Sequence, residues 1–214
     1  MKETIEKVDK REHILDFAEK LFSEHGFEGT STRLISKDAC VNMAMLNYYF
    51  GSKEGLYKAV LERRISGFRQ SLISLNEENI SSWEKIYRCI EMYVDRVMGN
   101  KCFNRLIHRE MSLQQPSDIT ESIADTMMRN VNEVIKIITE GMKNGSFRKV
   151  DTELTVSSIL GTMVMVINSS QISSRMFKKD TTDPAILDEI KPRIKEYLKD
   201  LLKVHLTNHD QKSK

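Results

Sequence analysis

"CVNMAMLNYYFGSKEGLY", residues 40–57, carries no charged side chain from its first residue through Ser52, although 30% of the whole chain is charged. A buried core segment would be more apolar than this stretch, and a surface loop would be more charged or richer in glycine and proline. Two adjacent tyrosines and two asparagines are instead typical of a surface that lies flat against another molecule. The neighbouring sequence indicates what kind of surface this is.

The composition predicts a helical protein without metal or membrane segment. Nine glycines and three prolines in 214 residues favour helix throughout. Three cysteines (Cys40, Cys89 and Cys102) have no CxxC spacing and are odd in number, so we expect neither a disulfide framework nor a zinc site. The longest apolar run, Ile159–Ile167, is too short to span a bilayer, and no signal peptide precedes it. We therefore predict a cytoplasmic protein.

Residues 1–55 predict a small head of three helices. Apolar residues at helical spacing indicate a first helix that ends at Gly26. Thr30 or Ser31 is the expected N-cap of a short second helix, and Asn42 that of a third, which spans residues 43–50. Two short helices joined by a turn, directly after a longer one, are typical of a helix-turn-helix.

Residues 56–214 predict a larger helical domain, so the expected fold class is all-α. A long fourth helix, capped by Ser52, runs to about residue 73 and joins the two domains. Further helices are predicted at about 81–98, 104–114, 119–144 and 151–173, with Asp151 as the cap of the last of these. A final helix reaches Leu206, with Pro192 either interrupting it or starting its main part.

The third helix is suited to enter a DNA groove. Leu46 and Phe50 lie four residues apart and face inward, which leaves the uncharged remainder of the helix outside. Asparagine can pair with adenine, methionine and alanine can touch a thymine methyl, and tyrosine hydroxyls can reach phosphates. The alternative is an ordinary surface helix whose tyrosines pack on a neighbouring element.

Residues 11–57 resemble the DNA-binding head of the TetR (tetracycline-repressor) family. The resemblance rests on the Gly26-Phe27 stop, the Thr30–Thr32 cluster, the tyrosine-tyrosine-phenylalanine run and the Gly51–Glu54 segment that follows it. One departure is Cys40, since the family usually has glycine at this turn. If the turn requires a positive φ, a cysteine there is mildly strained.

The resemblance implies a function for individual residues of the head. Thr32 would contact a phosphate, and Lys53 would hold another phosphate at the start of the fourth helix. The implied partner is a double-stranded DNA operator. In the third helix and its cap, the implied residues nearest the bases are Asn42, Ala44 and Met45. Those implied to contact phosphates or base edges are Asn47, Tyr48 and Tyr49.

The charge of the head argues against strong non-specific binding to DNA. Residues 1–58 hold nine Lys or Arg and ten Asp or Glu, a net charge of −1. The acids of the first helix lie away from the third helix. We therefore expect modest affinity for a single head and reliance on dimerisation.

The second domain is rich in methionine, nine of twelve lying between Met92 and Met176. Flexible thioethers suit a pocket for apolar molecules of varied shape, although plain core packing explains most of them. The resemblance implies a cavity for a small apolar effector. Our candidate lining residues are Phe103, Ile107, Met111, Met128, Met163 and Ile167.

Two apolar stripes near the C-terminus predict a homodimer interface. A two-fold operator requires two heads at fixed spacing, and the stripes lie on the predicted helix over residues 151–173 and on the final helix that ends at Leu206. Burial of the final stripe within its own chain is the alternative. The predicted interface residues are Val156, Leu160, Val164, Ile194, Leu198, Leu201 and Leu202, with Leu198 and Leu202 the foremost candidates.

An enzyme is not expected. The sequence has no phosphate-binding glycine loop, no GxSxG elbow and no zinc spacing, and we predict neither cofactor nor metal. His205 and His209 are four residues apart but lie near the end of the chain. The predicted function is a ligand-released repressor that binds a palindromic operator as a homodimer. A helical protein-interaction module, or an enzyme without a recognisable motif, is the alternative.

Overall fold

The computed structural model describes residues 2–99, 101–112 and 118–208, with side chains except those of residues 2–9, 101, 102 and 105. The described residues form ten α-helices and no strand, which confirms the predicted fold class. The helices are α1 Lys2–Gly29, α2 Thr32–Asp38, α3 Met43–Phe50, α4 Lys53–Glu77, α5 Ser82–Gly99, α6 Lys101–Met111, α7 Asp118–Lys143, α8 Thr152–Asn168, α9 Ser170–Phe177 and α10 Pro184–Leu206.

The chain forms two compact units. The first unit comprises Met1–Gly67 and Cys102–Met127, and the second comprises Phe68–Lys101 and Met128–Lys214. Helices α4 and α7 each contribute residues to both units. The predicted boundary between residues 55 and 56 separates the helix-turn-helix head from the rest of the chain by function and not by compactness. It stays a prediction.

The core of the first unit is not made by the N-terminal helices alone. Phe103 of α6 is 2% exposed and Ile123 of α7 is fully buried, and both belong to the same apolar cluster as the residues of α1 to α4. Helix α6 and the start of α7 therefore complete this core. The other fully buried members are Ile14, Leu15, Ala18, Phe22, Ile35, Leu56 and Leu61.

The connection from α1 to α2 follows the predicted glycine stop. Gly26 has φ 72° and ψ 177°, so the regular helix is broken there although a short helical segment continues to Gly29. The Thr30 hydroxyl donates to the carbonyls of Leu21 (3.1 Å) and Gly26 (2.8 Å). Ser31, rather than Thr30, is the N-cap of α2 and accepts from a backbone N–H of that helix.

In the second unit, α10 packs along α5. Its buried stripe of Ile190, Ile194, Leu198 and Leu202 belongs to the main apolar cluster of that unit. Lysines beside this stripe bridge to α5 rather than facing only solvent. The Nζ–carboxylate distances are 2.8 Å for Lys195–Asp95 and 2.6 Å for Lys199–Glu91.

The single helix predicted over residues 151–173 is wrong, because the chain breaks at Ser169 (φ −103°, ψ 53°) and α8 and α9 meet at 92°. The Asp151 cap is confirmed. Ser173 stabilises the break, since its hydroxyl lies 3.0–3.1 Å from the carbonyls of Met165, Val166 and Ser169 at the end of α8. This side-chain contact with backbone carbonyls is not visible in apolar periodicity.

Helix α10 runs through Pro192 without interruption, so the expectation that Pro192 breaks or starts the helix is wrong. Pro184 occupies the first turn instead, behind the Asp183 cap. An internal proline removes one backbone hydrogen bond. Burial of Ile190 and Ile194 on either side of Pro192 offsets that loss.

Cys40 and Cys89 are free cysteines, and burial raises the pKa of the Cys89 thiol to about 12. Among the described residues no group of His, Cys, Asp or Glu has the arrangement of a metal site, while His209 lies outside them. No single described helix is both long and apolar enough to cross a membrane. Helices α8 and α9 reach that length and composition only together, across their bend.

Candidate nucleic-acid interface

The turn between α2 and α3 is built by local hydrogen bonds. After the C-cap Ala39, the N–H of Cys40 donates to the carbonyl of Lys37 (3.1 Å) and that of Val41 to Ser36 (2.9 Å). This pattern is a Schellman motif, which requires a left-handed residue directly after the cap. Cys40 has φ 52°, so the strain expected of a cysteine at this turn is confirmed.

We expect Cys40→Gly to stabilise the protein. Relief of left-handed strain is worth about 1–2 kcal/mol, and the added freedom of glycine in the unfolded chain offsets about half of it. Urea unfolding should therefore show a free energy of unfolding higher by about 0.5–1 kcal/mol. Cys40→Ala is the control, because it removes the exposed thiol and keeps the strain. Equal stability of the two variants would contradict this account.

The exposed face of α3 is neutral, as predicted. Leu46 is 3% exposed and packs into the first core, whereas Tyr48 is 70% exposed. Ala44 and Asn47 are also exposed. The Tyr48 ring packs edge-on against the Tyr49 ring, with the ring centres 5.1 Å apart. Met45 and Tyr49 are partly buried, so they border this face rather than lie at its centre.

Asn42 is the N-cap of α3, as predicted, and this restricts what it can bind. Its side-chain oxygen accepts the backbone N–H of Met45 at 2.8 Å. An asparagine that reads adenine in the major groove uses both its oxygen and its amide group. In this conformation one acceptor position of the Asn42 oxygen is occupied by the cap, while its amide N–H donors are not used by that hydrogen bond.

Lys53 is held at the start of α4. Its ammonium lies 4.2 Å from the centre of the Phe27 ring, which itself packs on Tyr57 at 4.8 Å. The backbone N–H of Glu54, and then the Ser52 hydroxyl, lower the pKa of the Glu54 carboxyl. Glu54 therefore already uses one backbone N–H of this helix end. The contact of Lys53 with a phosphate stays a prediction.

Three acids of α1 bind arginines of α4, which offsets part of the unfavourable charge count of the head. The Arg63 guanidinium binds Glu12 (3.1 Å), Asp16 (2.8 Å) and Glu19 (2.9 Å), and Arg64 binds Glu19 at 3.1 Å. Burial opposes the charge of Arg63, but its hydrogen bonds to Glu19, Glu12 and Asp16 raise its pKa. These carboxylates are thus neutralised on the side of α1 that packs against α4.

Three cations near the helix-turn-helix were missed by the sequence reasoning. Arg33 and Lys37 are exposed on α2, two and six residues after its cap. The Arg11 guanidinium lies 5.4 Å from the centre of the Phe50 ring, at the end of α3. The amino-acid sequence did contain a signal for them, namely positive charge close to the neutral helix α3. Thr32, the predicted phosphate contact on α2, is half-buried at its first turn.

The candidate ligand residues fall in both units. In the first unit Phe103 is buried, Ile107 is partly buried and Met111 is 39% exposed. The other three residues belong to the second unit. Met128 is 50% exposed on α7, whereas Met163 and Ile167 of α8 are buried in the core. The structure thus does not gather the six in one core, and their role stays a prediction.

The predicted dimer interface needs correction. Val156, Ile194, Leu198 and Leu202 are at most 5% exposed, because they form the core of their own chain. They are therefore not available to a partner. Of the predicted set, Val164 is exposed on α8, and Leu160 and Leu201 are partly exposed.

Known proteins match both parts of this geometry. Residues 14–60 match the family described as bacterial regulatory proteins, tetR family, and residues 83–197 match the tetracyclin repressor-like C-terminal domain. The chain is 24% identical over 208 residues to the probable HTH-type transcriptional regulator YttP of Bacillus subtilis, covering 94% of this chain and all of that one. It is 28% identical over 141 residues to the HTH-type transcriptional repressor NemR of Escherichia coli, covering 64% and 69%.

The same fold occurs among solved structures. The regulator FadR from Bacillus subtilis, solved with stearoyl-CoA, superposes with a TM-score of 0.69 at 20% identity. The superposition covers 87% of this chain and 96% of that one. At this identity the likeness shows the fold, and the ligand belongs to that protein.

Proposed function

Because this chain belongs to the TetR family of bacterial transcriptional regulators, we propose that it is a repressor that binds a palindromic operator as a homodimer. We propose further that a small apolar effector releases it from DNA. The observation that carries the first proposal is the neutral, exposed face of α3, with Asn47 and Tyr48 outermost and Lys53 held just beyond it. A side chain set of this kind reads base edges and phosphates in the major groove.

Selection of bound duplexes from random DNA tests the repressor proposal. We expect a two-fold symmetric consensus whose half-sites lie about 34–36 Å apart, one turn of DNA, as two helix-turn-helix heads require. An asymmetric consensus would contradict the homodimer. Recovery of no sequence above background would contradict operator binding itself.

Asn47 and Lys53 should affect binding differently. Lys53→Ala is expected to weaken binding to the selected duplex and to unrelated DNA alike, and to reduce the salt slope by about one. Asn47→Ala should instead change the preferred base at one position of each half-site, by about 1–3 kcal/mol. Fluorescence anisotropy over a salt series, with single-base variants of the duplex, measures both effects. An unchanged slope would remove Lys53 from the phosphate contacts.

The exposed apolar residues of α8 and α10 support the homodimer. On α8, Leu154, Val164 and Met165 are 65%, 41% and 38% exposed and share one face with the small residue Gly161. On α10, Tyr197 and Val204 are 57% and 60% exposed. Monomeric proteins rarely leave so many large apolar side chains in water on neighbouring helices.

Helices α8 and α10 approach each other at one end of the second unit. The Thr155 hydroxyl and the His205 ring nitrogen Nε2 lie 3.0 Å apart, which joins the start of α8 to the end of α10. Leu154 and Val204 are the exposed neighbours of these two residues. We propose that α8 and α10 from each chain form a four-helix interface, with Leu160, Val164 and Leu201 retained from the predicted set.

The effector proposal rests on the methionines of the second unit and on thermodynamic linkage. Met163 and Ile167 lie in an apolar core that an apolar ligand could share by repacking of flexible thioether side chains. A ligand that binds the DNA-incompetent state better by about 1–3 kcal/mol lowers operator affinity by about 5–150-fold. Screening apolar compounds for release of the selected duplex tests this, and a broad screen without release would count against it.

A further inference from the structure

The DNA-binding head of this chain shares its core with α6 and the start of α7. Beyond the burial of Phe103 and Ile123, the Ser122 hydroxyl of α7 donates to the Glu62 carboxylate of α4. The Thr120 hydroxyl of α7 donates to the Glu110 carboxylate of α6 at 3.3 Å. These polar contacts connect α6, α7 and α4 within the first unit.

The Arg64 side chain of α4 contacts both α1 and α6. The Arg64 guanidinium of α4 binds the Glu19 carboxylate of α1 at 3.1 Å. The same guanidinium lies 5.6 Å from the centre of the Phe103 ring of α6, within the range of a cation–π contact. A planar guanidinium can hold a carboxylate at its edge and an aromatic ring at its face at the same time.

Helix α1 in turn supports the helix-turn-helix. The His13 ring nitrogen Nε2 donates to the carbonyl of Ala39, the C-cap of α2, at 3.0 Å. Phe22 and Leu15 of α1 belong to the same core as Leu46 of α3. A displacement of α1 would therefore displace both helices of the motif.

We propose that Arg64 is a positioning residue for DNA reading, which couples the position of α6 to that of α1 through Phe103 and Glu19. Its neighbour Arg63 binds the same face of α1 and has three carboxylate partners there. Arg63 thus holds α1 to α4, whereas Arg64 adds the connection to α6. This inference rests on the proposed operator binding.

A double-mutant cycle on the selected duplex tests the coupling. Arg64→Met and Phe103→Leu should each weaken binding by about 2–30-fold, and the double variant should be no weaker than the weaker single one. Arg63→Met is the matched control, and its effect should multiply with that of Phe103→Leu. Multiplicative effects for the Arg64 pair as well, or no effect of Arg64→Met, would overturn the proposal.

Further readouts separate positioning from direct contact and from unfolding. The salt slope of Arg64→Met should equal that of the wild type, whereas loss of a phosphate contact would lower it by about one. Arg64→Lys keeps the charge but not the planar guanidinium that contacts Glu19 and Phe103 together, so it should bind the duplex nearly as weakly as Arg64→Met. A lowered slope, or an Arg64→Lys variant with wild-type affinity, would contradict positioning by the guanidinium.

Amide hydrogen exchange of the free protein keeps this inference distinct from the proposed function. Phe103→Leu should raise exchange in residues 14–22 of α1 by about 2–30-fold without any DNA present. Ile107→Leu changes the packing of α6 but keeps the ring beneath Arg64, and it should leave that exchange unchanged. If the wild type selects no operator, the repressor proposal fails while this measurement still decides the coupling. Unchanged exchange in α1 for Phe103→Leu would overturn it.

Discussion

Val164→Arg is expected to convert the proposed homodimer to a monomer and to weaken operator binding by about 10²–10⁴-fold. Val164 is 41% exposed on α8, so an arginine there costs the fold little. Across a two-fold interface the substitution places two buried positive charges against an apolar partner surface. The loss of affinity follows because the second head no longer binds as part of the same molecule. Sedimentation velocity and anisotropy measure the two effects in parallel.

Two further substitutions control this experiment. Met128→Arg introduces the same charge at a residue that is 50% exposed on α7, and it should leave the dimer intact. Leu198→Arg changes a fully buried residue and should unfold the second unit, which circular dichroism would report as lost helicity. If Val164→Arg stays dimeric, the interface lies elsewhere. A wild-type protein that is monomeric at micromolar concentration would contradict the two-head mechanism.

Gly55→Ala is expected to weaken specific DNA binding by at least about 30-fold while most of the helical structure remains. A Cβ atom at Gly55 would lie 2.1 Å from the carbonyl oxygen of Phe50, the last residue of α3. Backbone atoms cannot give way as a flexible side chain can, so α3 has to shift relative to α4. The overpacking costs about 1–3 kcal/mol of stability. Loss of two base contacts at about 1–3 kcal/mol each adds at least a 30-fold loss of affinity.

Gly99→Ala is the matched control for this substitution. Apart from its chain neighbours and its own helix backbone, no atom of the described residues lies within 4 Å of a Cβ placed at Gly99, at the end of α5. Neither stability nor binding should therefore fall. Thermal unfolding and anisotropy with the selected duplex compare the two variants. A Gly55→Ala variant with wild-type affinity would show that the position of α3 does not depend on this close approach.

Much of the head was predictable because its structure is decided by neighbours in sequence. The Asn42 cap, the bounds of α3 and the strained Cys40 all follow from groups within about five residues of one another. Caps, glycine stops and left-handed turns are local, and their residue preferences are strong. The neutral outer face of α3 was likewise readable from spacing, since one buried leucine orients a two-turn helix.

The prediction of the dimer interface was wrong about which surface covers the apolar stripe of α10. Periodicity shows that the stripe of Leu198 and Leu202 is buried, but it does not show whether the same chain or a partner covers it. The structure assigns the stripe to the core against α5 and leaves Val164 and Tyr197 outside. The break at Ser169 was missed for a similar reason, because its stabilising contacts come from a serine hydroxyl and not from apolar spacing.

The all-α fold, the helix-turn-helix and the residues on its outer face were predictable from the amino-acid sequence, because these features depend on caps and on helical period. Long-range packing, in contrast, brings Arg63 and Arg64 to Asp16 and Glu19 of α1, some 45 residues away in the chain. Only the tertiary structure showed that Phe103 completes the core of the head. Such contacts join distant segments through charge and burial, and no local pattern records which segments meet.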